Sequence, residues 1–174
     1  MSNLDFNSPD FSKLPSCGDF DFRIARDGTW FYRGSPIGRK PLVRLFSTVL
    51  RREDDGSYWL VTPVERGRIT VDDAPFVAVE LIVTGTGRDQ KLAFRTNVED
   101  WVTADADHPI RIDYPQGDEP SPYIRVRGAL DALIARPVFY QLVDLAETRV
   151  TGGRAELGVW SGGSYFPLGA TEAA

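Results

Sequence analysis

Ile37-Gly38-Arg39-Lys40-Pro41 and Ile134-Ala135-Arg136-Pro137 each lead from strand-like sequence into an amphipathic segment. Laid over each other without gaps, Ile37 falls on Ile134, Arg39 on Arg136, Leu45 on Leu142 and Phe46 on Val143. In the first segment Leu42, Leu45, Phe46, Val49 and Leu50 recur at helical spacing and form one apolar stripe. Pro41 suits the first helical turn, and the pattern ends near Arg52, ahead of Asp55-Gly56. The second segment, from about Pro137 to Thr148, places Val138, Phe139, Leu142, Val143 and Ala146 on its buried face before Gly152-Gly153 breaks the chain. Each helix is followed by a Gly-rich turn and an aromatic strand, Tyr58-Trp59 in one case and Trp160 in the other. A duplicated strand–helix–strand unit accounts for these matches, and so do two helices that merely share apolar spacing. The paired Ile-x-Arg is the part that spacing alone does not supply.

Outward from these helices the texture is β. Phe20, Phe22 and Ile24 alternate with Asp21 and Arg23, Asp27-Gly28 supplies a turn, and Thr29-Trp30-Phe31-Tyr32 is strongly strand-forming, so a hairpin is expected. Further strands are expected at Tyr58–Thr62, Arg68–Val71, Val77–Val83, Lys91–Thr96, Ile110–Ile112, Tyr123–Arg127 and Leu130–Ile134. Gly85–Asp89 reads as a hairpin loop, and Glu156–Trp160 with Ser164–Pro167 as a closing hairpin about Gly162-Gly163. The expected class is α+β, predominantly β, with two short helices. The expected division is a loose segment 1–17, an N-terminal half 18–74 and a C-terminal half 75–174. The ends Met1–Pro15 and Gly169–Ala174 carry no periodic apolar face and are expected to be loose.

Composition removes several function classes. The chain has 174 residues, 20 Lys+Arg against 25 Asp+Glu, and a formal charge of -5, which argues against an extended nucleic-acid surface. A single Cys excludes an intramolecular disulfide and a multi-cysteine metal cage, and suits a reducing cytoplasm. The polar start is not a signal peptide, and runs such as Phe76-Val77-Ala78-Val79 are far too short to span a membrane.

Catalytic motifs are equally scarce. His108 lies in Asp105-Ala106-Asp107-His108-Pro109, which reads as a surface turn, and Cys17 beside Gly18 reads as an incidental small residue. Asp54-Asp55, Asp72-Asp73 and Asp105-x-Asp107 border turn signals, where aspartate commonly bonds its own backbone. Gly85-x-Gly87 opens no helix, and Trp160-Ser161-Gly162 lacks the leading glycine of a nucleophile elbow. No metal site and no cofactor is called for. An aspartate-based hydrolase stays open only if carboxylates converge in the fold.

Charge is uneven along the chain. Arg33, Arg39, Lys40, Arg44, Arg51 and Arg52 occur in a stretch with no acid, whereas Glu99 to Glu119 holds seven acids against Arg111 alone. Arg44, Thr48 and Arg51 or Arg52 share the face of the first helix opposite the stripe, which is either a solvated face or an anion-facing patch. Arg39 and Arg136 lie at helix N-termini, where the dipole disfavours a cation, so each calls for a carboxylate partner or a bound anion. Thr62-Pro63-Val64-Glu65-Arg66 and Phe94-Arg95-Thr96-Asn97 are polar beyond the needs of plain turns.

Gly18–Arg39, Leu45–Glu53, Leu60–Arg66, Val71–Val77 and Thr96-Asn97-Val98 together resemble the bacterial domain of unknown function 1285 family, over about Gly18 to Gly169. The resemblance implies a duplicated strand–helix–strand architecture whose C-terminal half is superficially similar to a pleckstrin-homology-like barrel. It also implies a site at the interface of the two halves suited to a nucleotide-like ligand, and a role in signalling rather than catalysis. On this reading the partner is a small anionic or nucleotide-like molecule. Trp30 and Tyr32 would stack on a base, Arg39 and Arg136 would bind phosphate, and Thr62, Glu65, Thr96 and Asn97 would read polar edges. The alternative is a signalling adaptor that presents a sheet edge to a protein partner.

Overall fold

The first hairpin forms where alternation and the Asp27-Gly28 turn put it. In the computed structural model, which describes residues 13–170, β1 (Ser16–Ile24) runs antiparallel to β2 (Trp30–Tyr32), with Phe22 opposite Tyr32 and Ile24 opposite Trp30. The chain continues through β3 (Ser35–Pro36), α1 (Lys40–Thr48), β4 (Leu50–Arg52), β5 (Tyr58–Val61) and β6 (Arg66–Val71). These strands form one sheet in the order β3-β2-β1-β6-β5-β4, antiparallel except for the central β1–β6 pair.

Six more strands build a second sheet: β7 (Phe76–Thr84), β8 (Lys91–Thr96), β9 (Trp101–Thr103), β10 (Ile110–Gln116), β11 (Glu119–Arg127) and β12 (Leu130–Ile134). Their order is β10-β11-β12-β7-β8-β9, again antiparallel except for the central β12–β7 pair. Read from its β9 edge, this is the first sheet with six added to every label. The architecture is therefore two-part and duplicated. Each helix also stands between strands, α1 between β3 and β4, and α2 (Arg136–Asp144) between β12 and β13 (Glu147–Thr151). Their places in the sheet repeat differ, since α1 lies inside the first unit and α2 follows the second.

β13 joins β14 (Arg154–Ser161) and β15 (Ser164–Ala170) in a third, antiparallel sheet. It closes on the second sheet to give a half-barrel, with β15 beside β10 and β14 against β8 and α2. Buried polar pins fix this contact: Ser161 Oγ accepts from Leu92 N at 2.9 Å and donates to the Ala104 carbonyl at 2.7 Å.

Both helices are shorter than their apolar spacing implies. α1 stops at Thr48 because Leu50 pairs with Leu60 in the sheet and is fully buried there, so Arg51 and Arg52 lie on a strand. With Leu50 removed from the stripe, the helix rotates: Val43, Phe46 and Ser47 face inward, while Leu45 is 61% exposed. α2 ends at Asp144, and Glu147-Thr148 opens β13 instead of prolonging the helix. Val138, Phe139 and Leu142 pack inward as read, but Val143 is exposed.

One core joins the units. Ile24, Trp30, Leu50, Leu60 and Ile69 of the first belong to the same cluster as Phe76, Phe94, Ile124 and Leu142. The expectation of loose ends, Met1–Pro15 and Gly169–Ala174, falls mostly on residues 1–12 and 171–174, which lie outside the described residues. Within the described residues, β1 begins at Ser16 and β15 continues to Ala170.

Candidate functional site

The seam between the units is stitched by side chains that reach backbone far away in sequence. Asn97 Oδ1 accepts from Val77 N at 3.0 Å, and its Nδ2 donates to the Gly28 carbonyl at 3.2 Å. Gly28 has φ +89°, and a Cβ there would sit 2.6 Å from Asn97 Nδ2, so the turn and the seam both require glycine. Arg127 donates to the Ser47 carbonyl at the end of α1. Arg26 Nη2 donates to Ser121 Oγ at 3.4 Å.

These contacts separate the candidate ligand residues. Trp30 and Asn97 line one seam cavity of about 440 Å³, together with Lys40, Arg44 and Glu99. Arg39 adjoins it as the N-cap of α1, without a side-chain cap bond and without an ion pair among the described residues. Trp30 is 1% exposed, its ring packed nearly parallel to Phe46 and edge-on to Phe22, so it serves the core more than an open stacking platform. Its Nε1 is buried with no acceptor among the described residues. Tyr32 packs on Phe22 with the Arg33 guanidinium over its ring.

The others lie elsewhere. Thr62 Oγ1 closes its own turn, donating to the Glu65 carbonyl at 3.0 Å and accepting from Glu65 N at 3.2 Å. The Glu65 carboxylate accepts from Cys17 Sγ at 2.9 Å. Thr96 is fully buried and accepts from Val98 N and Asp100 N. Arg136 has found the carboxylate that its position at a helix start calls for, Glu119 at 3.1 Å, on a different cavity. The turn aspartates also act locally. Asp55 Oδ1 holds Ser57, Asp72 pairs with Arg23, and Asp105 holds Asp107 N, His108 N and the His108 ring.

Positive charge converges in a second seam cavity, of about 350 Å³, that residue spacing did not reveal. Arg51 and Arg52 of β4, with Thr48 at the end of α1, face Arg127, Gly128 and Ala129 at the β11–β12 turn. Arg51 Nη1 donates to the Leu50 carbonyl at 2.7 Å and the Thr48 carbonyl at 3.3 Å. Arg52 Nη1 reaches the Ala129 carbonyl at 3.5 Å. Arg51 and Arg127 thus sit where the α1 dipole is negative and its last carbonyls are open. The Arg52 fork keeps N–H groups beyond this bond among the described residues.

The electrostatics favour an anion. Burial lowers the pKa of Arg127, and burial together with the Arg127 charge lowers that of Arg51. No acidic side chain lines the cavity among the described residues. The ion pair of Arg127 is with Asp100 Oδ2, at 4.0 Å, and Asp100 is shared with Arg44, also at 4.0 Å. Guanidiniums gathered in a partly desolvated seam attract a phosphate or carboxylate, which neutralises them at short range. The Arg51-Arg52 pair is visible in sequence as charge, but apolar spacing assigns it to a helix, whereas it lies on β4. Arg127 was missed: its signal, an arginine at every second residue of Ile124-Arg125-Val126-Arg127, marks a strand face and says nothing of a contact to Ser47.

The fold and seam define a class: a duplicated mixed-sheet protein whose polar cavities lie where its units meet. Models of the N-terminal domain of unknown function DUF1285 and of the DUF1285 C-terminal domain match residues 12–74 and 75–168, and the chain belongs to the DUF1285 family. It is similar to the crystal structure of a DUF1285 family protein from Silicibacter pomeroyi DSS-3, with 52% identity, TM-score 0.83, and coverage of 90% of this chain and 84% of that one. It is also similar to a DUF1285 family protein from Shewanella baltica OS155, with 26% identity, TM-score 0.56, and coverage of 71% of this chain and 91% of that one. No curated protein matches it. Among the described residues, no helix is long and apolar enough to cross a membrane.

Proposed function

We propose that the protein is a non-catalytic module that binds a small phosphate- or carboxylate-bearing ligand between its units, nucleotides among the candidates. The observation that carries this reading is the cavity lined by Arg51 and Arg52 of one unit and Arg127 of the other. A ligand there draws the units together through charge-assisted bonds, which gives a sensory module a way to couple occupancy to shape. The lining supplies cations and backbone but no acid–base pair, so it suits binding better than turnover. The module acts in the cytoplasm, where its one cysteine stays reduced.

Thermal unfolding across a panel of phosphate, pyrophosphate, nucleotides and dicarboxylates, at matched ionic strength, tests the reading. A ligand at about 100 times its Kd adds roughly 2.7 kcal/mol of stability. No shift with any anion at millimolar concentration would sink it.

One observation favours an adaptor as a second reading. Among the described residues β13 is an edge strand, paired with β14 alone, and all five of its residues are exposed, Val150 at 70%. An edge of this kind accepts an added strand. A stoichiometric protein partner retained by the wild type and lost with Val150→Pro would support it.

A further inference from the structure

A third seam cavity, of about 290 Å³, carries both signs of charge. On β4 and β5 the cross-strand pair Arg52–Tyr58 lines it, and on β10 and β11 the pair Arg111–Tyr123 does. These are the fourth and fifth strands of each unit, so the duplication brings one Arg–Tyr pair from each half to the same space. Each guanidinium lies over the ring of its partner, at 5.3 Å for Arg52 and 4.6 Å for Arg111. Asp73, in the connection between the units, completes the lining with Asp113 and Asp131.

Most of this charge is already matched. Asp131 is almost fully buried and accepts from Arg111 Nη1 and Arg125 Nε, each at 2.5 Å. Arg111 Nε is held by Asp113 at 3.1 Å. Two groups retain capacity. Asp73 Oδ1 accepts from the Tyr123 hydroxyl at 2.6 Å, while the buried Oδ2 has no hydrogen bond among the described residues and is held only by a long ion pair with Arg26 Nη1, at 3.7 Å. Among the described residues the Arg52 side chain makes one long hydrogen bond, to the Ala129 carbonyl. Arg52 and Asp73 line the same cavity and form no ion pair with each other among the described residues.

We propose that this cavity binds a free amino acid, its ammonium on Asp73 and its carboxylate on Arg52, with the side chain against the tyrosine rings. A ligand of a single sign satisfies one of these two groups and is repelled by the other; a zwitterion satisfies both. The volume lies at the small end of ligand sites, which suits a single amino acid better than a whole nucleotide.

The test is isothermal titration of the full chain with each proteinogenic amino acid, then with the deaminated acid and the decarboxylated amine of the tightest binder. The proposal expects saturable binding by at least one amino acid, weakened about tenfold or more in both truncated probes and in Asp73→Asn. The truncated probes act on the wild-type protein, so a poorly folding variant does not decide the result. It is overturned if no amino acid binds saturably, if the deaminated acid binds as well as its parent, or if Asp73→Asn binds like wild type. Inorganic phosphate, titrated in parallel, separates the two sites: phosphate binding without amino-acid binding overturns this proposal and leaves the arginine cavity standing.

Discussion

Asn97 holds the seam with two hydrogen bonds to backbone, one in its own unit and one in the other. Asn97→Ala leaves the Val77 amide and the Gly28 carbonyl without that partner, and a loss of roughly 1–3 kcal/mol is expected in urea unfolding. A loss under a few tenths of a kcal/mol would mean water replaces the amide. Tyr123 gives a second handle. Burial first, then its hydrogen bond to Asp73 and the charge there, push its pKa up to about 12 from 10.0. The folded state therefore prefers the neutral phenol. The stability this contributes is fully present below pH 10 and is lost as pH rises towards 12. Wild type should lose stability faster than Tyr123→Phe across that window, and equal slopes would contradict the assignment. Asn97 stood out in sequence as a polar residue in excess of a turn's needs. Gly28 stands out only as a turn glycine and not as the partner of Asn97, because a contact across 69 residues leaves no local pattern.

At the scale of elements, α1 separates what periodicity tells from what packing decides. Leu42, Leu45, Phe46, Val49 and Leu50 fit one helical stripe, yet the sheet takes Leu50 and the inward face becomes Val43, Phe46 and Ser47. Phe46 packs on Phe22 at 5.0 Å and on Trp30 at 6.3 Å. Phe46→Ala is expected to cost about 3 kcal/mol, and Leu45→Glu less than about 0.5 kcal/mol. Thermal unfolding of the two variants reads the order directly, and the reverse order would restore the stripe. Strands with strong local alternation, β1, β8 and β14, and the nearly continuous apolar run of β7 are legible in sequence. β3, β4 and β9 are two or three residues long, below the length at which alternation shows, and β13 was absorbed into the tail of α2.

The described residues form two six-strand sheets of one topology, a third sheet that closes the second into a half-barrel, and one shared core. Because the core crosses the seam, the units should unfold together. Far-UV circular dichroism and tryptophan fluorescence are expected to give coincident transitions, whereas two separated transitions would show that the units are energetically independent. The paired Ile-x-Arg points to a duplication, but the two helices it marks hold different places in the sheet repeat; the repeat itself is a matter of strand order, which long-range pairing sets and local sequence does not record. Likewise each arginine of the candidate site was readable as charge, and only their convergence was not. That convergence is the central claim, and side-chain Nε–Hε NMR signals of Arg52 and Arg127 test it most directly. Titration with pyrophosphate should shift both signals saturably, with chloride at the same ionic strength leaving them in place. Signals that stay fixed, or that drift equally with both salts, would contradict an anion site at the seam.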